Sequence, residues 1–461
     1  MGRVEALFVR ILGFIYLAAF GSLAVQVTGL IGSNGISPAR DFLASMRQAL
    51  GPAAYWYEPS VLWLNSSDRA ILLVCVAGVV ASLLVIAGVV IRPALVLLLL
   101  LYLSLSTAGQ DFLSYQWDVL LLETGFLAIF LAGSPTRILL FRWLLFRLMF
   151  LSGAVKLLSR DAAWRNLTAL HYHYETQPLP TPPAWYFYQL PMGFQKASTF
   201  VVLAVELAVP CLFFAPRRLR FWAAWITVGL QVLILLTGNY AFFNLLAIAL
   251  CLFLFDDAAL GRLLPKWNPK PLVRRAPMPA ISAALAGFVL LVSGLEMVET
   301  FSLPVPGPAR ALLRLVSPLR IVNSYGLFAV MTTSRPEIIV EGSNDGANWA
   351  RYEFRYKPGR LDRAPPWVAP HQPRLDWQMW FAALSDYRQN PWFSSFLLRL
   401  LQGSEPVLRL LEHNPFPDRA PRYIRALLFD YEFTGLGSGG AWWKQKPKGF
   451  YFPAASLRTQ Q

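Results

Sequence analysis

The sequence predicts a polytopic α-helical membrane bundle of eight or nine spans, followed by a β-rich outer domain with added carboxy-terminal helices. Three observations carry that reading. Fifty-six per cent of the 461 residues are hydrophobic, and the mean hydropathy is +0.46, too apolar for a soluble chain of this size. The apolar residues gather in long runs before about residue 300. From about Arg320 apolar and polar residues alternate instead, the period of a half-buried strand. The division is therefore drawn as a transmembrane domain over 1–300 and an extracytoplasmic domain over 301–461.

The spans are read in order. Arg3 and Arg10 precede an apolar run over 12–31, long enough to be a retained anchor rather than a cleaved leader. A polar connection with the aromatic run Tyr55, Trp56 and Tyr57 follows, an interfacial belt. Further spans are expected over 70–91, 94–108, 117–132, 138–158, 199–215, 221–237, 241–255 and 280–297. Several fall short of the ~20 residues that a straight helix needs, which leaves the count at eight or nine.

Charge orients the bundle. A net charge of +15 is also the mark of nucleic-acid-binding chains, but the cations sit at the ends of apolar runs, so no nucleic acid is expected and membrane lipid is. One set of short loops holds Arg3, Arg10, Arg92, Arg137, Arg217, Arg218, Arg220, Arg262, Lys266, Lys270, Arg274 and Arg275. The opposite loops hold fewer, among them Arg40, Arg47, Arg69, Arg160, Arg165 and Lys196. With the amino terminus inside, nine spans place the carboxy-terminal domain on the outer or lumenal side. Cys75, Cys211 and Cys251 lie within apolar runs, so buried free thiols are expected rather than disulfides.

The stretch FLSGAVKLLSRDAAWRNLTALHYHYETQPLPTPPAWYFYQLP concentrates titratable groups at a membrane edge. Lys156 either snorkels to the interface or marks a functional cavity. His171, His173 and Glu175 share a direction only if that segment is extended. Two histidines without a nearby third ligand do not make a zinc site, so no metal is expected. Residues 177–183, rich in proline, should run extended. Asp111, Asp118, Glu123 and Glu206 are acids within or beside apolar runs, expected either to pair with arginines such as Arg142 or Arg147 or to line a polar cavity with Lys156.

In the outer domain, Ser343, Asn344, Asp345 and Gly346 between two alternating runs signal a hairpin within a set of five to eight strands. HQPRLDWQMWFAALSDY reads as a helix, and further helices end at Asn414 and Pro415. RYIRALLFDYEFT returns as a strand, and WWKQKPKGFYF is a basic, aromatic stretch suited to a membrane surface, a partner or simple packing. Trp349, Trp377, Trp380 and Arg374 are the candidate client-binding residues there. No nucleophile elbow or phosphate loop occurs, which leaves hydrolase and nucleotide chemistry without support.

The blocks HYHYETQPLPTPPAWY, IVNSYGLFAVMTTSRPEIIVEGSNDGANW, YKPG, PHQPRLDWQMWFAAL and LLEHNPF together resemble the lipase maturation factor family over nearly the whole chain. That resemblance implies a membrane-anchored folding and assembly factor, residing in the endoplasmic-reticulum membrane in eukaryotes with its carboxy-terminal domain lumenal, and acting without a cofactor on a secreted lipase. Redox roles are not implied here, since the cysteines lie in apolar runs. The many Arg and Pro residues and the absence of a retention signal point to a bacterial relative in a plasma or inner membrane, whose exported client need not be a lipase. Oligomeric state is left open.

A second, local resemblance is carried by SGAVKLLSRDAAW, which is similar to the vitamin K-dependent carboxylase family and its horizontally transferred transmembrane superfamily, matching at Gly153, Lys156, Leu157 and Trp164. It implies an alternative in which the chain is a membrane enzyme. Lys156 would be the base, assisted by His171, His173 and Asp161, acting on a protein substrate or a quinone-like lipid. A cavity joining Lys156 to the histidines would favour the enzyme, and a Lys156 packed against an acid the maturation scaffold. The scaffold is preferred because its resemblance spans the chain.

Overall fold

The computed structural model describes residues 2–130, 135–267 and 279–457. Within these, α1 spans Arg3–Ala24, α2 Asp68–Ala87, α3 Ile91–Ala108, α4 Gln116–Ile129 and α5 Pro135–Leu158. They continue with α6 over Ala169–Thr176, α7 over Pro182–Tyr188, α8 over Met192–Leu207, α9 over Arg217–Thr237, α10 over Phe243–Cys251 and α11 over Pro279–Thr300. Local chemistry sets several of the ends. Ser67 caps α2 by accepting from the Ala70 amide, and Gly88 closes it in the left-handed region at φ +80.

Among the described residues seven helices are long and apolar enough to cross a membrane, or eight if the run containing α10, bent by 113° into Asp257–Leu263, counts as one. The expected fourth span is the exception: α4 has 14 residues, about 21 Å at the helical rise. It still carries the chain between the two faces. Its start lies beside Asp118, which meets the carboxy-terminal region, while α5 begins near Arg137 at the opposite face. The end expected at Ala132 lies outside the described residues.

The first span also shifts, from 12–31 to Arg3–Ala24, with a break before the short helix Val27–Ile31. The break frees the Gln26 side chain, whose amide donates to the Gln372 carbonyl at 2.7 Å and whose oxygen accepts from the Arg374 amide at 3.0 Å. Residues 177–183 do not stay extended throughout: Pro182 opens α7, a position where its missing N–H costs nothing.

One face of the bundle is cationic. Arg217 pairs there with Asp256, Arg142 and Arg220 donate to the carbonyls of Phe253 and Leu254, and Arg10 lies over the Trp267 ring. Lys270, Arg274 and Arg275 lie outside the described residues. The opposite face receives the carboxy-terminal region. After α12, Gly307–Val316, this region holds β1 (Arg335–Ser343), β2 (Ala350–Arg351), β3 (Glu353–Phe354), β4 (Leu411–His413), β5 (Tyr423–Phe433) and β6 (Trp443–Ser456). Between β3 and β4 lie α13 over Arg374–Ala383, α14 over Pro391–Leu401 and the short helix Glu405–Leu408.

The main sheet is antiparallel in the order β2-β1-β5-β6, and β3 pairs with β4. The hairpin expected at Ser343 to Gly346 joins β1 to β2: Ser343 Oγ accepts from the Gly346 amide at 2.9 Å, and Gly346 takes φ +76. Residues 411–413, expected to close a helical stretch, form β4 instead, because the edge of β3 takes their backbone groups. The alternating residues 321–334 form no strand. Their polar groups go to the membrane helices, as when Gly326 N donates to Gln116 Oε1 at 3.2 Å and Thr176 Oγ1 donates to the Thr332 carbonyl at 3.0 Å.

Buried ionic joints tie the two regions together. Arg374 donates to both carboxylate oxygens of Asp118 at 2.8 Å, with the Tyr102 hydroxyl on the same carboxylate. Glu123 pairs with Arg147, as expected, and also accepts from the Tyr325 hydroxyl at 2.8 Å and the Asn323 amide at 3.0 Å. Asp118 thus finds its partner outside the bundle, not in Arg142 or Arg147. Arg335 pairs with Glu337 and donates to the carbonyls of Glu175, Gln177 and Pro178. An uninterrupted cluster of buried apolar side chains runs through both regions, from Val4 to Tyr451.

Candidate functional site

Lys156 sits half a turn before the end of α5, where the flanking apolar residues keep the helix going to Leu158. It does not snorkel. It is 4% exposed, and its Nζ lies 2.7 and 2.6 Å from the two carboxylate oxygens of Glu206 on α8. Gly153, one turn back, lets α8 approach: a Cβ there would lie 2.8 Å from Leu207. The ammonium also lies over the Trp164 ring, 5.1 Å from its centroid. Trp164 is held in turn by donating to the Phe328 carbonyl at 2.9 Å.

The pair forms part of the wall of a cavity of about 470 Å³ between α5, α6, α8, α9 and α10. Its lining is apolar and aromatic apart from a few polar groups, among them Lys156, Glu206, His173, Tyr240, Gln231 and Asn244. His173 meets the Tyr240 hydroxyl through Nε2 at 3.0 Å, and Tyr240 donates to Gln177 Oε1 at 2.8 Å. Burial, with a smaller push from the Lys156 charge, brings His173 down to about 4, so it is neutral at physiological pH. Deeper in, Asn244 Nδ2 donates to Gln231 Oε1 at 2.7 Å.

The two histidines part company. Residues 169–176 are helical rather than extended, because α6 packs between α7 and α8, and neighbours two apart on a helix do not share a face. His171 points away from His173 and stacks on Tyr188, with centroids 5.3 Å apart at 12°. Asp161 is not a lining residue: it caps the short helix Ala162–Arg165, accepting from the amides of Ala163 and Trp164. The structure therefore joins Lys156 to His173 and separates both from His171 and Asp161. It holds both features set against each other above, an aromatic cavity at Lys156 and an acid on its ammonium.

Glu206 was visible in the sequence as an acid in an apolar run, but its pairing with Lys156 was not. A cation at membrane depth requires an acid near it, and Glu206 is left once Glu123 has taken Arg147 and Asp118 has taken Arg374. Tyr240 and Gln177 carried no sequence signal.

The residues expected to meet a client are mostly inside. Arg374 is spent on Asp118. Trp377 is 3% exposed against Trp117 and Tyr240, and Trp380 is 7% exposed, donating to the Thr176 carbonyl at 2.7 Å. Trp349 alone of the four keeps an accessible face, under Arg425 at 4.0 Å. Arg425 also lies near Phe450, which is 67% exposed on β6. The lysines of β6 are answered within the sheet, Lys444 and Lys446 by Glu432 and Lys448 by Asp430. Cys75 and Cys251 are buried free thiols, while Cys211 faces outward from the bundle. Among the described residues no three His, Cys, Asp or Glu side chains gather as metal ligands.

Comparison with known proteins covers both regions. A model of the lipase maturation factor transmembrane domain matches residues 3–262, and one of the lipase maturation factor C-terminal domain matches residues 321–453. Lipase maturation factor 2 of Gallus gallus is 37% identical over 99% of this chain and 82% of its own length. The Homo sapiens protein of the same name is 37% identical over 98% and 82%. Lipase maturation factor 1 of Bos taurus is 35% identical over 97% and 88%. No solved structure matches.

Proposed function

We propose, from the premise that this chain belongs to the lipase maturation factor family, that it is a membrane-anchored factor which helps a secreted lipase, or a similar exported client, to fold and assemble. The observation that carries this reading is the likeness to lipase maturation factors 1 and 2 across both the membrane and the carboxy-terminal regions. The arginine-rich face is read as cytoplasmic, which puts the carboxy-terminal region on the outer or lumenal side, where an exported client is met. The membrane is that of the endoplasmic reticulum if the chain is eukaryotic and the inner membrane if it is bacterial.

With Trp377, Trp380 and Arg374 holding the two regions together, the client surface is assigned to the sheet face around Trp349, Arg425 and Phe450. An aromatic and arginine cluster of this kind supplies the residue types that dominate binding energy. Replacing Trp349 and Phe450 together by alanine is expected to reduce secreted client lipase activity about tenfold at unchanged membrane abundance. Full activity in that double variant would remove this surface from the account. Deleting 320–461 is a poorer test, since it strips Asp118 of Arg374 and unmakes the bundle along with the domain.

A membrane enzyme acting through Lys156 is the second reading, favoured by the cavity that Lys156 shares with His173. The Lys156 ammonium is already bonded to Glu206, so a base at this position has Glu206 as its first proton acceptor. Replacing Lys156 and Glu206 together by methionine separates the readings. Lost maturation at normal abundance supports the enzyme, and retained maturation leaves the outer surface as the working part.

A further inference from the structure

The cavity at Lys156 opens sideways. Val201 on α8 and Leu233 on α9 both line it, yet they are 54% and 52% exposed. The span Met192–Phe214, which begins with α8, and α9 are both long and apolar enough to cross a membrane, so the surface around these residues meets hydrocarbon rather than water. The opening leads past Val202, Leu230 and Phe243 to the polar end at Lys156 and His173. A volume of about 470 Å³ lies within the range of about 300–1,000 Å³ typical of sites for one small ligand.

The chemistry of the polar end follows from its hydrogen bonds. Gln177 Nε2 donates to the carbonyls of Thr237 and Tyr174, which fixes its amide oxygen as the acceptor for Tyr240. Having given its only proton to Gln177, the Tyr240 hydroxyl can only accept from His173, so Nε2 of His173 carries the proton and Nδ1 is an acceptor. Lys156 has three N–H donors and engages Glu206 at two oxygens. One donor on Lys156 and one acceptor on His173 are left at the end of an apolar passage, with the unpartnered Asn244 Oδ1 elsewhere on the wall, and the charges of Lys156 and Glu206 cancel. A phosphate head would bring a further charge to a lysine whose own charge Glu206 already balances.

We propose that the cavity binds a membrane lipid, with one hydrocarbon chain lying between α8 and α9 and an uncharged carbonyl or hydroxyl head held by Lys156 and His173. The lipid site rests on the cavity alone and not on the maturation role. Carbonyl heads have two sources in a bilayer, an ester glycerolipid and an isoprenoid quinone, and both fit the same donor and acceptor.

The test uses the full chain in phosphatidylcholine nanodiscs and a 16-carbon monoacylglycerol with a diazirine on its tail, the sites of photolabelling being read by peptide mass spectrometry. Labelling is expected to concentrate at Val201 and Leu233 and to fall about tenfold in Val202→Trp or Ser198→Trp, either of which fills the passage. Unlabelled monoacylglycerol or isoprenoid quinone should compete, the stronger competitor naming the source, while lysophosphatidic acid should not. In the Lys156→Met/Glu206→Met chain the tail should still label but head-group preference should vanish. Labelling equal to that of Leu72 and Leu73, exposed on α2, or competition by lysophosphatidic acid as strong as by the neutral lipids, would overturn the proposal. Both readouts come from the unsubstituted chain and decide the matter even where a tryptophan variant fails to fold.

Discussion

Arg374 brings a guanidinium, 1% exposed, to a carboxylate that has no exposure at all. A buried pair of this kind adds little over an apolar replacement, but breaking it from one side strands a charge. Arg374→Met is therefore expected to lower stability by about 3–5 kcal/mol, and Arg374→Met/Asp118→Leu to recover most of that loss. Thermal unfolding in detergent measures both, and a double variant as unstable as the single would show that the charge is not the cause. The sequence exposed the acidic half of this joint as a polar residue in an apolar run, whereas Arg374 stood among the candidate client-binding residues of the outer domain. It did not expose the pairing, because partners lie as far as 256 residues apart. Asp118 was accordingly matched in expectation to arginines of its own bundle, where Arg147 goes to Glu123 and Arg142 to a backbone carbonyl.

Helices were legible wherever an apolar run was long, and least so where chain length and tertiary packing disagreed with the local pattern. The alternation of His171, His173 and Glu175 would share a direction only in an extended segment, yet packing against α8 makes α6 a helix. β4 was read as helix end, and an available strand edge took it. Neither partner is local, so no window of sequence contains the deciding contact. Small residues tell the same story between α1 and α2. A Cβ on Gly78 would lie 2.3 Å from the ring of Phe20, which is itself fully buried, whereas one on Gly229 of α9 would meet nothing within 4 Å. Gly78→Ala should cost about 1–3 kcal/mol through overpacking, and Gly229→Ala should be neutral or stabilising by up to about 1 kcal/mol. Equal shifts in Tm for the two would refute the close-packed seam.

At the scale of the molecule, two partly buried histidines lie at the junction of the regions. His173 packs its ring against Phe328 at 4.8 Å, and His371 reaches Ser22 of α1 through Nδ1 at 2.9 Å. Burial brings both down to about 4, helped by Lys156 beside His173 and by Arg374 and Arg355 beside His371. The unfolded chain binds their protons at about 6.5, so each histidine supports folding fully above that pH and loses its contribution as pH falls toward about 4, by at most ~1.4 kcal/mol per unit. Stability should thus decline on acidification through this window, and His173→Gln and His371→Gln should each flatten the decline. A slope unchanged in both variants would place the acid sensitivity elsewhere. The two-region plan, the spans and the hairpin could be read from the chain. The fusion of the regions through shared charges could not, since each region alone looks complete in sequence.

That fusion bears on how the protein is made. Asp118 enters the bilayer with α4, and the residue that neutralises it is synthesised 256 positions later. Until then the carboxylate has Tyr102 for company, and the bundle is an unfinished assembly even with every helix inserted. Biogenesis therefore has a built-in late step: a part of the chain made long after α4 is the part that completes it. A nascent chain stalled before Arg374 carries an unmet acid inside the membrane, the kind of mark by which a quality-control protease could tell an incomplete copy from a finished one.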